Sequence, residues 1–279
     1  MRLCLLGHPL SHSVSPAMHN AALAELGLAG WEYVAVPVPP DGLAEAVGSL
    51  RGEGYAGANV TVPHKQAVVP LLDGLTPVAH AIGAVNTIVK QDGRLLGHNT
   101  DAAGLLADLY AHAVHVSRRP VLILGAGGSA RAAVAALAGV GAQLRVIARK
   151  LEQIDALRSV AALDAFEWSP LGLLAASDNV ALIVNTTPLG LSPNTGASPW
   201  LAGTPFPPDA FVYDLVYNPP DTLLVRQARA AGLRAVNGLG MLVEQGALAL
   251  ELWTGQTAPR AIMRQAAEAS LYQPVRGPN

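Results

Sequence analysis

Short apolar runs alternate along this chain with Ala- and Leu-rich segments of helical length. Leu3–Gly7, Trp31–Val38 and Ala58–Pro63 read as strands, each followed by a polar or Gly-rich turn. Ser15-Pro16 opens a helix, with Ser as N-cap and Pro in the first turn, and Gly27 ends it. Gly42–Arg51 is the next helix, and Val68–Leu72 and Thr76–Ile82 are short ones. Val85–Lys90 and Arg94–Asn99 flank Gln91-Asp92-Gly93, where Asp-Gly supplies the positive φ angles of a hairpin turn. A helix then runs from Asp101 to about His115.

After Ser117-Arg118-Arg119-Pro120 the alternation becomes regular. Strands at Val121–Leu124, Leu144–Ala148, Val180–Asn185, Phe211–Leu215 and Arg234–Val236 are separated by an Ala-rich helix to about Gly139, a helix over Leu151–Val160 with an irregular stretch through Leu174, and a helix over Thr222–Ala231. This pattern predicts a parallel sheet with right-handed crossovers. Met241–Trp253 and Pro259–Leu271 close the chain as helices without a strand, and are expected to pack back on the N-terminal half. The prediction is an α/β fold of two α/β domains with a cleft between them. Residues 1–101 with 238–279 form one, with a mainly parallel sheet, and residues 102–237 form the other. Gln273–Asn279, with two prolines and a glycine, is expected to be a mobile tail.

One strand breaks the pattern. Period two puts Val60 and Val62 on one face of Ala58–Pro63, and Asn59, Thr61 and Pro63 on the other. A strand covered on both faces carries Val, Ile or Leu at such positions. Either this is an edge strand with a solvated face, or its polar face and the following His64-Lys65 form a functional site.

Composition narrows the choice. The chain has 279 residues, 51% hydrophobic and 14% charged, with a net charge of −2 and no basic block or acidic tail. Nothing in it suits nucleic acid or a membrane surface, and no apolar run reaches a membrane span. Met1-Arg2 runs directly into the first strand, too short a lead for a signal peptide. A lone cysteine, Cys4, excludes an internal disulfide and fits a cytoplasmic protein. Of 18 basic residues only Lys65, Lys90 and Lys150 are lysines. Lys can give up its proton and Arg cannot, which favours proton transfer at Lys65. His8, His12 and His19 lack accompanying Cys or carboxylates, and Pro9 prevents a shared helical face, so no metal site is expected.

Four further features carry candidate chemistry. Gly125-Ala126-Gly127-Gly128-Ser129-Ala130 is a G-x-G-x-x-A loop between an apolar strand and a helix, the setting of a Rossmann-type dinucleotide site. Arg149-Lys150 ends the next strand where an NAD site would place Asp or Glu; two cations suit a 2′-phosphate, hence NADP. Ser11, Ser13 and Ser15 precede the first helix, where hydroxyls either hold an anion or simply cap and face water. Asp101 is either a helix cap or the partner of Lys65, and Gln245, on an apolar stripe, is satisfied either in the core or by a ligand.

Together, Ser13-Val14-Ser15-Pro16, Asn59–Lys65, Gly83-Ala84-Val85-Asn86-Thr87, Asn99-Thr100-Asp101, Gly125–Gly128 and Gly238–Gln245 resemble the shikimate dehydrogenase family in order and spacing over nearly the whole chain. The resemblance implies reversible, NADP-dependent reduction of 3-dehydroshikimate to shikimate. It implies that Ser13 and Ser15 hold the substrate carboxylate, that Asn59, Thr61, Asn86, Asp101 and Gln245 bind ring hydroxyls with Tyr217 nearby, and that Lys65 and Asp101 form the catalytic pair. On the cofactor side it implies Gly125 to Ala130 for the pyrophosphate, Arg149 for the 2′-phosphate, and Thr187, Leu215 and Gly238 along the cleft. The family often reads Asn-Arg-Thr where this chain has Ala148-Arg149-Lys150. The alternatives are a sister enzyme taking quinate and NAD, and a non-catalytic nucleotide-sensing module; the latter would be expected to lose Lys65 or Asp101. A monomer or homodimer is expected.

Overall fold

The computed structural model describes residues 1–10 and 13–272. Ser11, His12 and the expected mobile tail at Gln273–Asn279 lie outside them. The elements in chain order are β1 (Arg2–Gly7), α1 (Ser15–Glu25), β2 (Glu32–Pro37), α2 (Leu43–Ser49), β3 (Tyr55–Val60), β4 (Gly74–Leu75), α3 (Pro77–Ile82), β5 (Thr87–Gln91), β6 (Arg94–His98), α4 (Asp101–Ala111), β7 (Pro120–Leu124), α5 (Gly128–Gly139), β8 (Gln143–Ala148), α6 (Leu151–Asp155), β9 (Asp164–Glu167), α7 (Pro170–Ser177), β10 (Leu182–Asn185), β11 (Phe211–Asp214), α8 (Leu223–Ala230), β12 (Arg234–Val236), α9 (Leu239–Thr254) and α10 (Arg260–Tyr272).

The strands form two sheets, ordered β2-β1-β3-β5-β6-β4 and β12-β11-β10-β7-β8-β9. In the first only β5 runs against its neighbours. The second is parallel throughout, and its order is that of a dinucleotide-binding sheet. Period two explains why β7 is apolar at every buried position: Val121 and Ile123 face the Ala-rich side of α5, while Leu122 and Leu124 face α7 and α8. The closing helices do cover the first sheet. Val243, Ala247, Leu250 and Trp253 of α9, with Met263 and Ala267 of α10, pack on Leu3, Leu5 and Tyr33. The indole N–H of Trp253 donates to Ile88 O at 2.9 Å.

Several expectations change. The third strand ends at Val60, not Pro63: the Thr61 N–H bonds to Leu6 O, Val62 O accepts from His8 N–H, and His64 N–H then turns back to Thr61 O. Val62 therefore leaves the core face and is 63% exposed. Ser15 is not the cap of α1. Val14 holds that position, and its apolar side chain makes no cap bond. The stretch through Leu174 is not irregular but holds β9 and the start of α7, and the helix predicted over Leu151–Val160 tightens into a 3₁₀ turn at Ala156–Ser159. The Asp92-Gly93 hairpin forms as expected, with φ of 51° and 75°.

Candidate active site

The site forms where the two sheets face each other. Asn86, just before β5, is its hub. Its Nδ2 lies 2.8 Å from Thr100 Oγ1, 2.9 Å from Asp101 Oδ1 and 3.1 Å from Gln245 Oε1. An amide has two hydrogens, so three acceptors compete for them, and Gln245 is the farthest. Asn86 Oδ1 accepts from Thr100 N–H at 2.8 Å and from the Thr87 hydroxyl at 3.1 Å.

Lys65 Nζ donates to Asp101 Oδ2 at 2.6 Å, with the two side chains 12% and 5% exposed. Asp101 does not cap α4. Thr100 holds the N-cap position, and the Asn99 side chain just before it takes the first amides, its Oδ1 accepting from Asp101 N–H at 3.1 Å and Ala102 N–H at 3.4 Å. That frees the Asp101 carboxylate to lie between Lys65 and Asn86. Gln245 is brought in by the close crossing of α4 and α9: a Cβ at Gly104 would sit 2.8 Å from Gln245 Cβ. Gln245 Nε2 bonds back to Leu242 O at 2.8 Å.

Asn59 is buried behind this hub. Its two amide hydrogens go to Asn86 O and Thr87 Oγ1, each at 3.1 Å, and its oxygen accepts from the Tyr33 hydroxyl at 2.8 Å. Its donors are thus engaged within the protein. Thr61 packs its methyl over Gly7, where a Cβ would collide with it, and its hydroxyl makes no hydrogen bond among the described residues. Ser13 and Ser15 are adjacent, Ser15 N–H donating to Ser13 Oγ at 3.3 Å. Tyr217 reaches across from the second sheet. The Val14 N–H faces its hydroxyl, and burial pushes that phenol up to about 12.

The Gly-rich loop lies at the carboxyl ends of the second sheet, at the switch between β7 and β10. Gly125 has φ +103°, and a Cβ there would meet Thr187 Cγ2 at 2.8 Å and Thr186 Oγ1 at 2.9 Å. Gly127 is the N-cap of α5, with no capping side chain and open space where a Cβ would be. The amides of Gly128, Ser129 and Ala130 are thus left for a ligand. Ala126 is half-buried beside them. Such a cradle fits a pyrophosphate. Thr187 is fixed by Asn185, whose Oδ1 accepts from its N–H at 2.9 Å and its hydroxyl at 2.7 Å. Asn185 Nδ2 donates in turn to buried Asp214 at 2.7 Å. Burial pushes the Asp214 carboxyl up to about 6 against the pull of its hydrogen-bond donors. Gly238 presses on Leu215, whose carbonyl would overlap a Cβ at 238. Arg149 and Lys150 are exposed at the end of β8 and make no ion pair among the described residues. A Cβ at Gly128 would touch Lys65 Cβ at 3.4 Å, so the dinucleotide cradle and the Lys65–Asp101 pair are neighbours.

Sequence reading overlooked Tyr33 in this network and gave no role to Thr87, Asn99 and Thr100, although all three stand in the motifs that carry the family resemblance. A signal existed: Asn-Thr stands at both open ends of the β5–β6 hairpin, as Asn86-Thr87 and Asn99-Thr100. Among the described residues no cluster suited to a metal ion is present.

A parallel dinucleotide-type sheet, a Gly cradle and a lysine–carboxylate pair facing it across a cleft define a two-domain α/β oxidoreductase. The family model described as shikimate dehydrogenase substrate binding domain matches residues 5–88, and that described as shikimate 5′-dehydrogenase C-terminal domain matches residues 238–268. The shikimate dehydrogenase (NADP(+)) of Symbiobacterium thermophilum is 44% identical over 277 residues, covering 96% of this chain and 94% of the relative. That of Citrifermentans bemidjiense is also 44% identical, covering 97% and 95%. The crystal structure of shikimate 5-dehydrogenase from Thermus thermophilus in complex with NADP(H) and shikimate superposes with a TM-score of 0.88 at 40% identity, covering 97% of this chain and 100% of that one. The chain belongs to the shikimate dehydrogenase family.

Proposed function

We propose that this protein is an NADP-dependent oxidoreductase that interconverts 3-dehydroshikimate and shikimate, on the pathway to chorismate and the aromatic amino acids. The observation that carries this reading is the Lys65–Asp101–Asn86–Gln245 cluster lying against the first turn of α5. When bound, the dinucleotide supplies the hydride acceptor or donor. The chain's own residues do the rest. The amides of Gly128 to Ala130 take the pyrophosphate, and Arg149 with Lys150 takes the 2′-phosphate.

On the substrate side, the hydroxyls of Ser13 and Ser15 hold the carboxylate near Tyr217, and Thr61 with Asn86, Asp101 and Gln245 holds the ring hydroxyls. Gln245 is the most readily exchanged acceptor of Asn86, so a substrate hydroxyl can take its place. Lys65 accepts the hydroxyl proton as the carbinol carbon is oxidised and returns it in the reverse direction, with Asp101 fixing the amine. Asn59 acts from behind, through Asn86 and Thr87. Residues 1–101 with 238–279 form the substrate domain and residues 102–237 the NADP domain. The single buried cysteine supports a cytoplasmic setting, and a monomer or homodimer suffices because every proposed group comes from one chain.

The test is a spectrophotometric assay of shikimate and quinate, each with NADP⁺ and NAD⁺. Reduction of NADP⁺ by shikimate is expected to dominate. No reduced cofactor from any pair would overturn the enzyme reading, and faster turnover of quinate with NAD⁺ would overturn the assigned specificity.

A further inference from the structure

Arg131 follows the Gly-rich loop by one residue, in the first turns of α5, yet its side chain leaves that half of the molecule. Its Nε donates to Ile82 O at 2.5 Å, Nη1 to Ala156 O at 3.0 Å and Nη2 to Ser159 Oγ at 3.2 Å. Among the described residues it has no carboxylate partner.

Each contact leads to a different part of the site. Ile82 ends α3, where a helix leaves its carbonyls unpaired and favours a cation. Gly83 follows at φ +68°, and a Cβ there would come within 2.8 Å of Nη2, so the guanidinium fills the room that glycine leaves. The next three residues are the floor of the substrate site. Ala84 O accepts from Asn99 Nδ2 at 3.0 Å, Val85 N–H donates to Lys65 O at 2.8 Å, and Asn86 is the hub. On the other side, Ala156 and Ser159 belong to the 3₁₀ turn after α6, the helix that starts directly behind Arg149 and Lys150. One guanidinium thus ties the helix under the pyrophosphate cradle to the segment that carries Asn86, and to the element behind the 2′-phosphate cations.

We infer that Arg131 is a positioning residue that couples the cofactor and substrate sites: phosphate seating at the start of α5 steadies the Gly83–Asn86 segment through Arg131, and tightens binding of the hydroxyl-bearing acid. The inference rests on the proposed substrate and cofactor. By thermodynamic reciprocity the substrate tightens the cofactor by the same factor.

Calorimetric titration tests it, using shikimate with NADPH, a pair that cannot react because both are reduced. In the unmodified protein, saturating NADPH should lower the Kd of shikimate about tenfold. In Arg131→Met this ratio should fall to within about twofold of one, while each ligand alone binds within about threefold of its normal Kd. Arg131→Lys, which keeps a cation at the end of α3 without the fork, should give an intermediate ratio. If Arg131→Met does not fold, Arg131→Lys with an unchanged ratio still overturns the coupling. So does a ratio of one in the unmodified protein when both ligands bind singly. Failure of shikimate to bind the unmodified protein at all would overturn the functional reading itself.

Discussion

Among the described residues Lys65 has a single ionic partner, Asp101, and the pair sits almost out of water at 2.6 Å. Its backbone is held as well, since Lys65 O accepts from Val85 N–H at 2.8 Å, beside the Asn86 hub. A side chain fixed at both ends suits a proton carrier more than a mobile surface charge. Lys65→Ala should lower kcat by about a hundredfold to ten-thousandfold with a much smaller change in KM, because it removes a proton carrier rather than a binding group. Steady-state kinetics with an unchanged kcat would take Lys65 out of the chemistry. His19 is the opposite case, a buried imidazole whose two nitrogens have no partner among the described residues, stacked on Tyr33 with ring centroids 4.2 Å apart. Burial holds its pKa down to about 3 from an ordinary 6.5. The unfolded chain therefore binds a proton below pH 6.5 that the folded protein refuses. The contribution of His19 to stability is full above that pH and is lost as pH falls toward 3, by about 1.4 kcal/mol per unit. Urea unfolding at about pH 6.5 and about pH 5 should show this slope in the unmodified protein and a flatter one in His19→Phe. Parallel slopes would mean that His19 is charged or solvated in the fold.

Among the elements, the end of β8 is where the proposed function tells the two cofactors apart. Arg149 and Lys150 stand exposed there with no ion pair among the described residues, so neither charge is already neutralised. Arg149→Ala should weaken NADP about tenfold or more, the usual worth of a charge-assisted contact, and leave NAD within about twofold. Equal losses in a pair of binding isotherms would deny Arg149 its 2′-phosphate. This loop was legible in the sequence because it depends on local features: an apolar strand, glycines at a turn and cations at a strand end. So were the hairpin and the alternation around β7, β8, β10 and β11. The reading failed where context decides. β9 is an edge strand with no fully buried residue, so it leaves no apolar run to find. Val62 continues the alternation of β3 on paper, but the chain turns at Thr61 to His64 and carries it into solvent. Asp101 reads equally well as a cap, and only the position of Asn99 settles that it is not one. Tyr33 and Arg131 act through residues far away in sequence, and no spacing announces them.

At the scale of the whole molecule, α4 leaves the first sheet and α9 returns to it, so their crossing bears on how the halves are held. Gly104 permits the close approach, and Asp108, one turn further along α4, pins it. Asp108 Oδ2 accepts from the Tyr213 hydroxyl of β11 at 2.6 Å, and that hydroxyl also accepts from Met241 N–H of α9 at 3.3 Å. Gly240 is required beside it, since a Cβ there would overlap the Asp108 carboxylate. The His112 ring at 3.8 Å and the Arg264 guanidinium of α10 at 4.0 Å are more distant, so the hydroxyl is the principal contact. Burial raises the Tyr213 phenol well above its ordinary value, and it stays a donor. Asp108→Ala leaves a fully buried hydroxyl without its acceptor and should cost about 1–3 kcal/mol. Thermal unfolding should then shift down by several degrees. Asp108→Asn keeps an acceptor oxygen and should lose less. The distinguishing measurement is the double variant. If the cost is the stranded O–H donor, Tyr213→Phe added to Asp108→Ala should recover part of the loss, offset in part because the Met241 N–H then loses its long 3.3 Å acceptor. If the second change only adds to the first, the pin is a packing contact and the carboxylate is incidental to it.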